Sequence, residues 1–173
     1  MGFIKTGRFN MRELTEAEVE LRTKRRKAFR SFVGDSKPAI MEFAEFLGVE
    51  NPQTAVEQPE KFLKVLEAFL KVEDISELEQ KDREWLHLRL MYFIGQLLLY
   101  RYGGIWFLNE NPEAKSFLRY VVGYFERGSV PKNLSVDPFS VVEDFLVEPP
   151  ERSLLSTIKK VEEEMGLQDN REL

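Results

Sequence analysis

The sequence predicts an α+β fold: a mainly helical single domain with a central buried helix and one antiparallel β-hairpin. Residues 90–100 read Leu-Met-Tyr-Phe-Ile-Gly-Gln-Leu-Leu-Leu-Tyr, so a helix there is apolar on every face apart from one glycine and one glutamine. A helix that is apolar all round is buried all round. After Gly103 and Gly104 the apolar residues change from a helical period to a period of two, which is typical of strands. The chain is therefore expected to fold around residues 82–125.

The predicted hairpin consists of Ile105–Leu108 and residues 117–125, joined by a polar turn. Alternate side chains of a strand point to opposite faces. One face of the second strand carries Leu118, Tyr120, Val122 and Tyr124, and the other carries Phe117, Arg119, Val121, Gly123 and Phe125. Both faces are largely apolar, whereas a solvated face is usually polar. We therefore expect each face to be covered, one by the central helix and the other by further helices or a partner.

Two separate helices are predicted at the N-terminal end of the domain. Thr15 with Glu18 three residues later is a capping-box pattern, and Gly34 is a residue type that stops helices. A second helix is expected to start beside Pro38, which suits the first turn of a helix, and to end at Gly48. The side chains expected to be buried on the second helix are Ile40, Phe43, Ala44, Phe46 and Leu47.

The remaining helices are predicted from the same signals. Pro59 starts a helix of about 15 residues with an apolar stripe at three-four spacing. The central helix starts after Ser76, which lies in a capping-box pattern, or after Asp82. Asp137 followed by Pro138 is an N-cap before a short helix. The predicted helices are therefore about 16–33, 36–48, 59–73, one from 76 or 82 to 102, one from 138, and 151–165.

Length and composition limit the class of protein. The chain has 173 residues, which is about one domain, with 43% hydrophobic and 32% charged residues. Cysteine is absent, which excludes disulfides, thiolate metal sites and cysteine nucleophiles and suits a reducing compartment. The longest apolar run is about half the ~20 residues that a membrane crossing needs. We expect a cytoplasmic protein without a membrane partner, with a flexible N-terminus at 1–11, a globular domain at 12–166 and a flexible tail at 167–173.

One basic stretch is a candidate surface for an acidic partner. The six cations of this stretch are Arg22, Lys24, Arg25, Arg26, Lys27 and Arg30. The net charge of −5 and the acidic residues at the start of the same helix argue against nucleic acid. A solvated, salt-bridged face is favoured, with an acidic protein partner and nucleic acid as alternatives.

Few residues suggest chemistry. His87 is the only histidine, so a Ser-His-Asp arrangement has at most one centre and a histidine-rich metal site is excluded. Glu84 is a candidate to orient it. Arg119 stands among apolar neighbours and is expected to pair with Glu110 or Glu113, or to reach the surface through its aliphatic stem. No catalytic residue, metal site or cofactor is predicted.

Four motifs resemble a known family. The runs are Tyr-Gly-Gly-Ile-Trp-Phe-Leu-Asn-Glu-Asn-Pro, Arg-Tyr-Val-Val-Gly, Val-Asp-Pro-Phe and Glu-Pro-Pro-Glu-Arg-Ser-Leu-Leu, in this order. Together they resemble a family of small bacterial proteins of unknown function, over residues 90–161. The Gly-Gly-x-Trp hairpin is also similar to immunity proteins and other small interaction domains of bacterial conflict systems. The resemblance implies no activity.

Three hypotheses about function follow. The favoured one is a non-enzymatic cytosolic domain that binds or regulates another protein, or a second copy of itself, through the aromatic hairpin or its acidic surface. Aromatic residues with a polar group are enriched at interfaces. At strand spacing on a hairpin, core packing is the favoured use of these aromatic residues, and contact with a partner is the alternative. The residues that would contact the partner are Trp106, Arg119, Tyr120 and Tyr124.

The two alternatives belong to other classes. One is a small-ligand binder or enzyme with a pocket between the central helix and the hairpin, lined by His87, Arg119 and Glu143. The other is a nucleic-acid accessory protein that acts through the basic stretch.

Overall fold

The computed structural model describes residues 12–127 and 134–167, which form a mainly helical α+β domain and confirm the predicted fold class. Leu167 is buried in the core, although the predicted C-terminal tail begins at this residue; the other residues of the segments predicted to be flexible, 1–11 and 168–173, lie outside the described residues. The elements are α1 (Glu16–Phe46), α2 (Thr54–Glu57), α3 (Pro59–Val72), a short 3-10 helix (Ile75–Glu77), α4 (Gln80–Tyr102), β1 (Ile105–Leu108), β2 (Tyr120–Gly123), β3 (Ser135–Val136), α5 (Pro138–Leu146) and α6 (Leu154–Met165).

Helix α4 is the centre of the core, as predicted. Its buried residues are Leu86, Leu90, Met91, Tyr92, Phe93, Ile94, Gly95, Leu97, Leu98 and Tyr102. The helix ends where Gly103 adopts a φ of 70° and donates its N–H to the carbonyl of Leu99. The predicted N-caps Ser76 and Asp82 are wrong: α4 begins at Gln80, and Ser76 lies in the 3-10 helix, where Asp74 caps it. The side chain of Asp74, two residues before Ser76, accepts the N–H of Ser76, and the capping-box pattern does not indicate this acceptor.

Helix α1 is continuous, so the predicted break between two helices at Gly34 is wrong. Thr15 and Glu18 do form the capping box. Pro38 lies inside the helix and cannot donate a backbone hydrogen bond to the carbonyl four residues earlier, which belongs to Gly34. The hydroxyl of Ser36 donates to the carbonyl of Val33 at 2.8 Å, so a side chain supplies a hydrogen bond in the turn that proline disturbs. Packing of the next turns against α4 then holds the helix together.

The sheet packs one face against α1 and α4. β1 and β2 are antiparallel, with Trp106 opposite Val122. The indole of Trp106 lies over Gly95 of α4, where a Cβ atom would come within 1.9 Å of the ring. The same ring makes an edge contact with Phe32 of α1, with centroids 5.2 Å apart. Glycine at position 95 is therefore required by the close approach of the tryptophan.

Helix α4, which packs on the covered face of the sheet, contains a tyrosine, Tyr92, whose pKa is raised. Burial raises the pKa of the Tyr92 phenol to about 12, and the Asp35 carboxylate and the Tyr120 phenol act in the same direction. Phe32 packs on this ring, with centroids 4.9 Å apart. The buried surroundings of this phenol therefore favour its neutral form.

The sheet differs from the predicted hairpin in two ways. It has a third strand, because Ser135 and Val136 pair with β2 in a segment expected to be a polar connection. The second strand is also shorter than predicted, because Leu118 and Tyr124 adopt positive φ angles of 59° and 54° on either side of it. The face opposite the helices is only partly covered, since Ile105 and Tyr124 are half exposed. Further helices of the described chain therefore do not cover this face completely, and its coverage by a partner stays a prediction.

Two arginines connect the C-terminal helices to the core. Arg152 is buried, and its guanidinium donates to the backbone carbonyls of Glu148, Leu70 and Glu73. On α4, Arg101 pairs with Glu60 of α3 and Glu162 of α6. Ser153 caps α6, which starts at Leu154, three residues later than expected, because Glu151 has a φ of 70° that ends the preceding turn.

Candidate functional site

The structure places the four residues predicted to contact a partner in different environments. Trp106 and Tyr120 are each only 7% exposed and belong to the core, so their predicted role at an interface does not fit their position. Tyr124 is half exposed on the outer side of the sheet, where its ring contacts Phe107. Arg119 is partly exposed and binds the side chains of Asp137 and of Ser140 on α5.

An aromatic groove lies elsewhere, between the C-terminal end of α1, the end of α3 and the start of α4. Its volume is about 810 Å³, and it is here called the Phe46 groove. Its apolar lining consists of Phe46, Phe69, Leu78, Trp85 and Leu86. Phe46 is 65% exposed, although its ring contacts Trp85 at a centroid distance of 5.1 Å. A large aromatic side chain is thus held against the groove wall without being buried.

Trp85 is the fixed part of this groove. Its ring makes edge contacts with Phe46 and with Phe43, whose centroid lies 5.4 Å away in the core. The guanidinium of Arg89, one turn later on α4, lies 4.0 Å from the centroid of the Trp85 ring. Arg89 is itself held by an ion pair with Glu42 of α1. These contacts fix the tryptophan before any partner arrives.

The rim of the groove is mainly acidic. It consists of Glu42, Glu45, Lys81 and Asp82. Glu42 is neutralised by Arg89. Glu45 and Asp82 are exposed, and neither forms an ion pair with another described residue. The groove therefore presents apolar rings bordered by unpaired carboxylates.

The sequence prediction missed this groove because it placed Phe46 in the buried stripe. Phe46 follows Phe43 by three residues, which is the spacing of one helix face. Phe43 is completely buried, but α1 ends at Phe46, where no further element covers the helix. Trp85 was visible in the sequence only as a neighbour of His87. An apolar residue in the last turn of a helix, just before Gly48, was the available signal.

A second site contains two of the three residues predicted for the alternative pocket. His87 and Arg119 both line a pocket of about 500 Å³ between α1, α4, the start of β2 and the start of α5, here called the His87 pocket. Both pack on Phe139: the imidazole meets its ring edge-on at 4.4 Å, and the guanidinium carbon lies 4.7 Å from its centroid. Glu143 does not line this pocket and is exposed on α5.

The hydrogen bonds of His87 and Arg119 differ from those predicted. The Nε2 atom of His87 lies 3.2 Å from the carbonyl oxygen of Phe139. A carbonyl only accepts, so Nε2 carries a proton; in the tautomer that this hydrogen bond selects for a neutral ring, Nδ1 is the acceptor. Arg119 pairs with Asp137 at 3.0 Å and not with Glu110 or Glu113, because its turn lies beside the N-terminus of α5.

The basic stretch lies on the exposed side of α1. Arg26 is paired with Glu110 in the loop between β1 and β2, at 2.7 Å. Arg25 lines the His87 pocket, and its guanidinium carbon lies 5.4 Å from the ring centroid of Tyr120. The remaining cations of the stretch form no ion pair with a residue in the described part of the chain. The basic stretch thus contains one cation in an ion pair within the fold and one that lines a pocket, and the others lie on the exposed side of the helix.

Within residues 12–127 and 134–167, no three His, Asp or Glu side chains come together as ligands for a metal ion. In the same ranges, no helix is both long and apolar enough to span a bilayer.

The fold and its surface define a class: a mainly helical α+β domain with a three-stranded antiparallel sheet and an open aromatic groove. Comparison with protein-family models, curated proteins and solved structures finds no match to this chain. Its membership of the family of small bacterial proteins stays a prediction from the four motifs.

Proposed function

We propose that this is a non-enzymatic cytoplasmic domain that binds another protein through the Phe46 groove. The observation that carries the proposal is the 65% exposure of Phe46 against the fixed ring of Trp85. Contiguous exposed apolar surface is typical of interaction sites. The absence of cysteine from the chain agrees with a reducing compartment.

The free energy available from this groove favours a short segment as the partner. Complete burial of a phenylalanine side chain contributes about 1.5–3 kcal/mol, and about two thirds of that remains to be gained at Phe46. Trp85 is immobilised by Phe43 and Arg89, so a partner orders little when it binds. Tryptophan and arginine are also the residue types that dominate interface energetics.

The negative charge at the rim of the groove favours a cationic partner. Glu45 and Asp82 are unpaired at the rim, so a partner that carries cations beside its apolar side chains gains charge complementarity. An amphipathic helix with lysines or arginines flanking its apolar face meets both requirements. We therefore propose a cationic amphipathic helix of another protein as the occupant, in preference to a second copy of this acidic chain.

The proposal is tested with a synthetic amphipathic helical peptide that carries leucines on one face and lysines beside them. Binding is measured by calorimetry and by the change in tryptophan fluorescence. We expect saturable binding that is at least tenfold weaker for Phe46→Ser, which corresponds to about 1.4 kcal/mol. A peptide with glutamates in place of the lysines should also bind more weakly.

Val72→Ser is the matched control, because Val72 is an exposed apolar residue that does not line the groove. It should bind the peptide as the parent chain does. Equal affinities for the two variants, or no binding by the parent chain, would show that the groove is not the site. Light scattering on the free chain tests the other candidate occupant, a second copy of this chain. A dimer that Phe46→Ser converts to a monomer would assign the groove to self-association.

A further inference from the structure

The His87 pocket contains hydrogen-bond donors that the fold does not use. Arg119 uses one terminal nitrogen, Nη1, for both Asp137 and Ser140, at 3.0 and 2.7 Å. Its Nε and Nη2 atoms bond no other residue in the described ranges. A guanidinium has five N–H donors in a planar fork. Most of that fork is therefore available to a ligand.

The position of the Arg119 side chain is fixed in advance. Asp137 holds Nη1 and is itself held as the N-cap of α5, where it accepts the backbone N–H groups of Phe139 and Ser140. Phe139 supports the guanidinium from the other side, at 4.7 Å. An arginine fixed by a carboxylate and an aromatic ring loses little conformational entropy when it binds an anion.

Arg25 adds a second cation to the lining of the pocket. No carboxylate in the described part of the chain forms an ion pair with it. It contacts the ring of Tyr120, whose hydroxyl donates to the Arg25 carbonyl at 2.7 Å. Tyr120 is thus both the wall of the pocket and the support of the helix turn that carries Arg25.

The other walls of the pocket are apolar. The apolar side chains that line it beside the polar groups are Phe32, Leu88, Met91 and Phe139. Among the described residues, Glu84 is the one carboxylate in its lining, and it accepts a hydrogen bond from Gln80 at 2.8 Å. A volume of about 500 Å³ lies within the range of small-molecule sites, which are typically apolar with a few convergent polar groups.

We infer that the His87 pocket binds a small organic anion, with a carboxylate or phosphate held by Arg25 and Arg119 and an apolar body against Phe139 and Met91. Guanidinium groups match both carboxylate and phosphate in shape and charge. Nδ1 of His87 accepts a hydrogen bond from a hydroxyl or protonated group of the ligand. The inference does not depend on the Phe46 groove, because the two sites share no lining residue.

The test uses His87 as an internal probe, since it is the only histidine in the chain. Its ring signals in ¹H–¹⁵N and ¹H–¹³C NMR spectra are assigned without ambiguity. Benzoate and phenyl phosphate are titrated in separate series, with benzamide as a neutral molecule of the same shape. We expect saturable shifts of the His87 signals with at least one of the two anions, with a Kd on the order of millimolar, and none with benzamide. The stronger anion identifies carboxylate or phosphate as the preferred group.

Variants distinguish this site from general attraction of anions to a cationic surface. Arg25→Gln removes a cation that has no carboxylate partner in the structure, so the variant should fold and bind the anion at least tenfold more weakly. Arg30→Gln is the matched control: Arg30 is exposed on the same helix and does not line the pocket. Arg119→Gln should abolish the shifts, with folding checked by circular dichroism.

Equal affinities of the Arg25→Gln and Arg30→Gln variants would overturn the inference. So would equal shifts with benzamide, or no saturable shift with either anion. Peptide binding at the Phe46 groove should be unchanged in all three variants, so failure of one proposal is separable from failure of the other.

Discussion

The two tryptophans of this chain occupy opposite kinds of environment, although each contacts at least one other aromatic ring. Trp106 is 7% exposed and lies over Gly95, where there is no side chain. Trp85 contacts Phe43 on one side and the exposed Phe46 on the other, and it lines an open groove. The Trp106 ring is packed in the interior, and the Trp85 ring forms a groove wall that is open to solvent.

The comparison shows that the role of an aromatic side chain depends on the residues that pack against it. A glycine in the middle of a helix costs about 1 kcal/mol relative to alanine. Gly95 is tolerated because the indole of Trp106 takes the space that a side chain would occupy. Behind Trp85 the support comes from Phe43 and Arg89, and nothing in the described structure covers its outer side completely. Trp85 is thus packed against the core through Phe43 and lines an open groove on its other side.

The largest expected effect compares truncation of the two rings. Trp106→Ala should destabilise the domain by about 3–5 kcal/mol, because it leaves a large cavity between the sheet and α4. Trp85→Ala should cost less than half as much, because part of its ring is already exposed to solvent. Urea unfolding followed by circular dichroism measures both free energies. Equal costs would mean that Trp85 belongs to the core and that the groove is closed in solution.

A second, smaller effect concerns the glycines. Gly95→Ala places a Cβ atom 1.9 Å from the Trp106 ring, so the ring must move in a packed interior. We expect the strain to exceed the gain in helix propensity and to leave a net loss of about 2 kcal/mol. Thermal unfolding and near-ultraviolet circular dichroism measure the loss and the displacement of the ring.

Gly34→Ala is the matched control, since Gly34 lies in α1 and a Cβ atom there meets no other atom within 4 Å. It should stabilise the domain by about 0.5–1 kcal/mol through helix propensity. If both alanine variants were more stable than the parent chain, the contact between Trp106 and Gly95 would not be what shapes the interior.

The same contrast explains which features could be predicted from the sequence. The buried helix and the strands after it were predictable, because a long apolar segment and a change of period are local patterns. The continuity of α1 was not, because Gly34 and Pro38 are helix breakers by local propensity and tertiary packing outweighs them. The third strand contains only Ser135 and Val136, which is too short for any period to show.

The candidate site was predicted only in part, for a related reason. His87 and Arg119 were expected in one pocket between the central helix and the hairpin, and the structure brings them together on Phe139. Burial of Trp106 and exposure of Phe46 depend on where neighbouring elements end, and no pattern within a single helix or strand records that. The interface role of Trp106 was the alternative to core packing, and its 7% exposure agrees with core packing; Trp85, which lines the groove, was not singled out.

The smallest expected effect is on stability at Phe46. Phe46→Ser should change the free energy of unfolding by less than about 1 kcal/mol, because 65% of the side chain is exposed and only the contact with Trp85 is lost. Phe43→Ser is the matched comparison on the same helix, and it should cost more than about 3 kcal/mol because Phe43 is completely buried. Urea unfolding of the two variants gives both values.

A nearly neutral result at Phe46 strengthens the binding hypothesis. A phenylalanine that adds little to stability and leaves apolar surface in water has no structural reason to occupy that position. A cost close to that of Phe43→Ser would instead mean that Phe46 packs against the body of the domain in solution. The groove would then be part of the core, and the distinction between the two tryptophans would be one of degree.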